Sequence, residues 1–230
     1  MSNTLYIVST PIGNLEDISY RAVRILQESS LILCEDTRHS RSLLNHYGIE
    51  TPVQTYHDFN KEKVSAKYIK HLDSVGDIAL ICDAGTPGIA DPAFYLVREC
   101  HRANICVSPI PGASALLSAL VGSGMPTNDF RFMGFAPKKS AARLTMFKGL
   151  VDKKYTFCFY VSPHNLVKMM GELNQIFPEH TFVLARELTK KFEEFLHFTP
   201  SQALEHYQER KPKGEYVMLF HPFFKSLGKT

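Results

Sequence analysis

Ile78-Ala79-Leu80-Ile81-Cys82, followed at once by Asp83-Ala84-Gly85-Thr86-Pro87-Gly88-Ile89-Ala90-Asp91-Pro92, is the stretch on which the fold is decided. An uninterrupted apolar run predicts a strand buried on both faces, as in a parallel sheet with helices above and below. The glycine- and proline-rich segment after it ends the strand in a turn, and residues 92–103 then read as a helix. The same strand, loop and helix recur twice. Residues 4–9 run into Thr10-Pro11-Ile12-Gly13-Asn14-Leu15 before a helix at 17–27, and residues 105–108 run into Pro109-Ile110-Pro111-Gly112-Ala113-Ser114-Ala115 before a helix opening near Gly112. In an open α/β sheet ligands bind beyond the carboxyl ends of the strands, so these three loops are expected to converge there. Glycine lets backbone approach a ligand closely, and proline restricts a loop in advance, which lowers the ordering cost of binding. No G-x-G-x-x-G follows the first strand and no G-x-x-x-x-G-K-S/T occurs, which argues against a common dehydrogenase or a P-loop enzyme.

Outward from these loops the α/β rhythm continues, with a strand at 31–34 and helices at 39–47 and 61–74. Turn formers concentrate in Gly122-Ser123-Gly124-Met125-Pro126-Thr127-Asn128-Asp129, which places a domain junction there and divides the chain into 1–125 and 126–230. The second domain reads as strands near 130–134, 156–161, 181–186, 193–198 and 215–221, with helices near 140–150 and 163–176. Its closely spaced later strands predict an antiparallel portion in a mixed sheet.

A chain of 230 residues, 44% hydrophobic and 21% charged, buries an adequate core without disulfides or metal and is neither disordered nor fibrous. The opening Met1-Ser2-Asn3-Thr4 lacks the basic start and cleavage site of a signal peptide. The least polar stretch, 109–125, is too short for a membrane span and is broken by Pro111, Gly112, Gly122 and Gly124. Cys34, Cys82, Cys100, Cys106 and Cys158 form no C-x-x-C pair, and most sit where a reduced thiol packs well; a cytoplasmic protein is expected. No metal-ligand spacing is found. Charge divides unevenly, with 10 Lys and Arg against 13 Asp and Glu up to residue 125, then 16 against 10. The clearest basic cluster, Lys138, Lys139, Arg143, Lys148, Lys153 and Lys154, is either a surface for phosphates or the solvated face of an ordinary helix.

The strings TPIGNLEDIS (10–19), EDTR (35–38), DAGTPGIADP (83–92), PIPGASA (109–115), SPH (162–164), ARELTK (185–190), FEEF (192–195) and GEY (214–216) occur in this order and spacing over nearly the whole chain. In this the chain resembles the ribosomal RNA small subunit methyltransferase I family of the tetrapyrrole methylase superfamily. That resemblance implies two α/β domains with mixed sheets, S-adenosyl-L-methionine in the cleft between them, and a homodimer. It implies 2′-O-methylation of a cytidine ribose in the decoding region of 16S rRNA, with the small ribosomal subunit as partner. The matching cofactor loops are Pro11, Ile12 and Gly13; Asp83, Ala84, Gly85, Thr86, Pro87, Ile89 and Ala90; and Gly112 through Ser114 and Ala115. Tyr160, Ala185 and Arg186 would close from the second domain, and Lys138, Lys139 and Arg143 are candidate RNA contacts. Methylation of a small molecule such as a tetrapyrrole, or a non-catalytic role in ribosome assembly, are the alternatives.

A sulfonium methyl is already activated, so positioning should dominate catalysis, aided by a group that eases loss of the hydroxyl proton. Glu35, Asp36, His57, Glu187 and Lys190 are candidates, with Arg38 and Arg186 able to grip phosphate or carboxylate; Asp36, Arg38, Glu187 and Lys190 are the favoured set. Asp36-Thr37 could equally cap a helix, Arg186, Glu187 and Lys190 could be an exposed ion-pair cluster, and His57 could be structural. Two positions depart from the family pattern: Val161-Ser162-Pro163-His164 stands where many members read ESPH, and Ala90-Asp91-Pro92-Ala93 where SDPG is common. The sequence closes at Thr230, without the small additional domain many members carry, which shifts the expected RNA contact to the basic surface of the second domain or to a dimer groove.

Overall fold

Side chains that alternate along parallel strands build the first half of the chain, as the computed structural model shows for the described residues, 3–223. The order is β1 (Thr4–Val8), a short 3-10 turn (Leu15–Asp17), α1 (Tyr20–Glu28), β2 (Leu31–Cys34), α2 (Thr37–His46), β3 (Val53–Thr55), α3 (Lys61–Ser74), β4 (Ile78–Leu80), α4 (Ala93–Arg102) and β5 (Cys106–Ile110). The sheet runs β3-β2-β4-β1-β5, and each of these pairings is parallel. Leu5, Ile7, Leu33, Ile78 and Leu80 pack on one face with Tyr68, Leu72, Leu96 and Cys100 from α3 and α4. Val8, Ile32, Cys34, Ala79 and Ile81 pack on the other with Ala22, Ile25 and Leu26 of α1 and Leu44 of α2. Period-two alternation thus supplies both faces; the apolar run expected as a strand buried on both faces forms β4 over Ile78–Leu80, which lies at the centre of the sheet. Cys34, Cys82, Cys100 and Cys158 are buried and Cys106 is exposed, all as free thiols.

The second unit comprises α5 (Ala115–Gly122), β6 (Phe130–Phe135), α6 (Ser140–Lys148), β7 (Thr156–Val161), α7 (Pro163–Asn174), β8 (Phe182–Arg186), β9 (Glu194–Phe198), α8 (Pro200–Glu209) and β10 (Tyr216–Phe220). Its sheet is mixed, in the order β6-β7-β10-β8-β9, with β6 and β7 parallel and the remaining pairs antiparallel. β10 lies at the centre and is buried along its whole length. Phe220 stacks at 5.3 Å from Phe157 and lies 5.1 Å from Phe177 and 4.7 Å from Phe182. Val161, one of the positions read from the sequence as a departure from the family pattern, is 3% exposed and belongs to this core.

The chain divides after Ser114, not in the 122–129 stretch. α5 packs on β10. The turn formers that follow it are tied into the same unit, with Ser123 Oγ donating to Leu120 O at 2.8 Å and His197 Nε2 3.1 Å from Ser123 O. They end a helix rather than a domain. The helix expected near Gly112 begins at Ala115, because Pro111 and Gly112 stay in the loop. β3 and α8 were not anticipated. β3 is three residues long and partly exposed, so it carries little periodic signal. α8 announced itself through Thr199-Pro200-Ser201-Gln202, a capping box with proline in the first turn. Residues 224–230, counted in the second domain, lie outside the described residues.

Phe220→Ala removes the ring on which the aromatic core of the second unit stacks and is expected to cost about 3–5 kcal/mol in urea unfolding. Phe192→Ala, at a ring 66% exposed, is expected to change stability by no more than about 0.5 kcal/mol.

Candidate functional site

Parallel pairing in the order β2-β4-β1-β5 brings the segments that follow these four strands to one edge of the first sheet. The loops after β1 and β4 meet as an isolated antiparallel bridge: Thr10 N–H donates to Gly85 O at 2.9 Å and Gly85 N–H to Thr10 O at 3.0 Å. Thr86 Oγ1 donates to Ala113 O at 3.1 Å, which ties in the loop after β5. That commits the Thr86 proton, so Ser9 Oγ is the donor in its 3.0 Å contact with Thr86 Oγ1. A side chain at Gly112 would place its Cβ 2.9 Å from Ser9 Cβ, so this close approach requires glycine. Gly85 and Gly88 have φ of +85° and +91°, in the left-handed region that glycine populates freely.

Asp91 fastens the far end of the same loop. Its carboxylate accepts from Gly88 N–H at 2.8 Å and from Ala93 N–H, at the start of α4, at 3.0 Å. Burial pushes this carboxyl up, against the lowering effect of those N–H groups. Along the crest, Gly13, Asp83, Ala84, Gly88, Ile89 and Ala90 are exposed, Pro11, Ile12, Thr86 and Ala115 are partly so, and Gly85, Pro87 and Ser114 are buried beneath. The result is a cross-braced, largely uncharged backbone rim, suited to a small polar cofactor held through main-chain groups.

Beside it lies the Glu35–Arg38 segment. Asp36 caps α2 by accepting from Arg38 N–H at 2.8 Å and pairs with the Arg38 guanidinium at 3.0 Å. Those hydrogen bonds hold the Asp36 carboxyl below its usual range. The capping reading of Asp36 is therefore realised, together with an ion pair in which the Arg38 side chain is 91% exposed. Glu35 behaves oppositely: burial, then the charges of Asp83, Asp91 and Asp58, push its carboxyl up. His57 donates its backbone N–H to Asn60 Oδ1 at 2.9 Å, while its Nδ1 is buried without a hydrogen-bond partner.

In the second unit the segment after β8 forms a strained, charged turn. Glu187 and Thr189 have φ of +50° and +64°, which costs of order 1–3 kcal/mol per residue and persists only where the surroundings impose it. Here Glu187 Oε1 accepts from Glu215 N–H and Lys190 Nζ, each at 3.0 Å, and Lys190 Nζ also reaches Glu215 Oε2 at 2.7 Å. A Cβ on Gly214, whose φ is +87°, would lie 2.5 Å from Glu187 Oε1, so the GEY segment needs its glycine to seat this carboxylate. Burial would raise Glu187, but the hydrogen bonds from Lys190 and Glu215 outweigh it and hold the carboxyl low. Burial would lower Lys190, yet its two carboxylate partners hold it above its ordinary value. Lys190 is thus a fixed cation rather than a base. Arg186 donates to Lys213 O at 2.8 Å and pairs with Glu194 at 2.7 Å. Tyr160 stands edge-on to Phe132 and Phe135.

Two expected contacts need correction. Ala185 is fully buried, paired with Val217 on one side and Phe195 on the other, and offers a ligand no surface. Arg143 does not belong to the exposed basic cluster: it is 4% exposed and holds Glu172 through Nε at 2.7 Å and Nη2 at 2.6 Å. Lys138 and Lys139 are exposed as expected. Arg143→Met, which strands a buried carboxylate, is expected to cost about 3–5 kcal/mol, and adding Glu172→Met should recover most of that loss. The hydrogen bond from Arg143 chiefly, against burial, holds the Glu172 carboxyl below its usual value. Its contribution is then complete above the unfolded value, about 4.3, and disappears as pH falls through the folded value. Glu172→Gln should flatten that acid limb in urea midpoints measured between about pH 7 and pH 3.

Residues 4–204 match the model of the Tetrapyrrole (Corrin/Porphyrin) Methylases. A ribosomal RNA small subunit methyltransferase I of Pseudomonas aeruginosa is 45% identical over 193 residues, which are 84% of this chain and 68% of that protein. The protein of the same name from Halalkalibacterium halodurans is 42% identical over 94% of this chain and 75% of its own length. Among solved structures, a diphthine synthase superposes with a TM-score of 0.72 at 13% identity, covering 97% of this chain and 92% of its own. A uroporphyrin-III C-methyltransferase of Thermus thermophilus, complexed with S-adenyl homocysteine, gives 0.65 at 15% identity over 95% and 97% of the two chains. On these matches the chain belongs to the tetrapyrrole methylase family, in the branch of the ribosomal RNA small subunit methyltransferases I.

Proposed function

We propose that this chain transfers the methyl group of S-adenosylmethionine to small-subunit ribosomal RNA, at the 2′-hydroxyl of a cytidine in the decoding region of 16S rRNA. The observation that carries the reading is the 42–45% identity to rRNA small subunit methyltransferases I along 84–94% of the chain. The braced loops after β1, β4 and β5 suit the cofactor: the exposed rim at 83, 84 and 88–90 leaves backbone groups for it, and glycine at 88 admits a ligand close to the main chain. S-adenosylmethionine supplies a sulfonium methyl that needs no further activation. The chain's own task is to hold the acceptor oxygen in line and ease loss of its proton.

The electrostatics distinguish the candidates within each unit. Lys190, held protonated by Glu187 and Glu215, serves as a fixed positive charge that favours a developing oxyanion. Glu35, raised by burial and by neighbouring carboxylates, is the stronger base among the candidate acids, whereas Asp36 and Glu187 are held low by their cations. Arg38, paired only at the surface with Asp36, is left to meet phosphate. The homodimer implied by the family resemblance belongs to the same proposal. No helix among the described residues is long and apolar enough to cross a membrane.

Labelled methyl transfer to small ribosomal subunits that lack the modification, with free rRNA and a tetrapyrrole in parallel, tests the reading. Label in a ribose of the small-subunit RNA is the expected result, and Lys190→Met should lower kcat by about 10²-fold or more while leaving the KM for cofactor within a few-fold. Label in the tetrapyrrole alone would overturn the substrate.

A further inference from the structure

The second unit carries a groove of about 560 Å3 beside α6 and α7, whose lining includes Lys138, Arg143, Asn165, Lys168, Glu172 and Gln175. Among the described residues that line it, the one acid is Glu172, and that carboxylate is spent: it accepts from Arg143 on both oxygens and from Ser140 Oγ at 2.6 Å. Arg143 is spent as well, because its remaining Nη1 donates to Pro137 O at 3.0 Å and Lys138 O at 2.7 Å. The buried pair is therefore a brace that fixes the turn bearing Lys138.

What the groove offers a ligand is then the two ammonium groups of Lys138 and Lys168, neither of which forms an ion pair among the described residues, and the side-chain amides of Asn165 and Gln175. α6 begins at the same place without a side-chain cap on Lys139, so the first-turn N–H groups add to the positive end. Two cations, amides and uncapped N–H groups make a set dominated by donors, which matches a group that only accepts. A phosphodiester is such a group. A cation is mismatched by charge, and among groups that only accept, the phosphodiester is the one that the rRNA substrate supplies.

We propose that this groove binds the phosphodiester backbone of the RNA substrate, outside the loops that hold the cofactor. The proposal rests on reading the chain as an rRNA methyltransferase. It also revises which basic side chains meet RNA: Lys138 of the basic cluster and Lys168, outside that cluster, do so, and Arg143 holds the turn in place.

The test is Lys138→Gln/Lys168→Gln against a matched control, Lys63→Gln/Lys70→Gln, which removes two exposed charges from α3. Binding of small-subunit RNA is measured between about 50 and 200 mM salt, and methyl transfer is assayed in parallel. The groove variant should bind about tenfold more weakly at the lower salt. Its slope of log K against log salt should be shallower by about 1.4–1.8, as for two lost phosphate contacts, with the KM for S-adenosylmethionine unchanged. The control should keep the wild-type slope. A groove variant with the wild-type slope, or a control that loses as much, overturns the proposal. Wild-type protein that methylates no RNA, while the slope change appears, overturns the catalytic reading and leaves the groove standing. Methyl transfer with an unchanged slope overturns the groove alone.

Discussion

Parallel pairing of β4, β1 and β5 is the constraint from which the candidate site follows. A parallel ladder sends every strand out at the same edge, so the segments after these strands meet whether or not they are close in sequence. Thr10 and Gly85 are 75 residues apart and share two backbone hydrogen bonds; Thr86 reaches Ala113 across 27 residues. Loops normally carry the mobility of a domain, but these are braced by the bridge, by Ser9 and by the Asp91 carboxylate. Much of the ordering that ligand binding would demand is thus complete before the ligand arrives.

The second unit reaches pre-organisation by charge. Glu187 sits at positive φ because Gly214, Glu215 and Lys190 surround its carboxylate, and the same contacts hold Lys190 as a cation. Strain in the backbone and a fixed charge have one cause here. Around Arg143 and Glu172 the logic is similar but structural, with a desolvated pair defining a turn instead of meeting a ligand.

Legibility from sequence tracked how local each determinant is. The three loops could be read because backbone demands appear directly as glycine and proline at fixed positions after apolar runs. Convergence of the loops was legible as well, since strand and helix alternation already implied a parallel sheet. The role of Arg143 was not, because a basic residue among lysines reads as surface until Glu172, 29 residues on, is known to meet it. Ala185 was misread for a related reason: strand membership shows in sequence, but centrality between β9 and β10 does not. The domain junction was misplaced because the glycines after α5 serve a helix end, and only the packing of α5 on β10 assigns that helix to the second unit.

The central claim is that the braced loops of the first sheet hold the cofactor, and Thr86 is the side chain that joins them. Calorimetric titration of S-adenosylmethionine into the wild-type protein and into Thr86→Val, which keeps the shape and removes the hydroxyl, tests it directly. The account predicts a roughly tenfold loss of affinity, about 1.4 kcal/mol, in a variant that still unfolds cooperatively. Affinity equal to that of the wild type would contradict it.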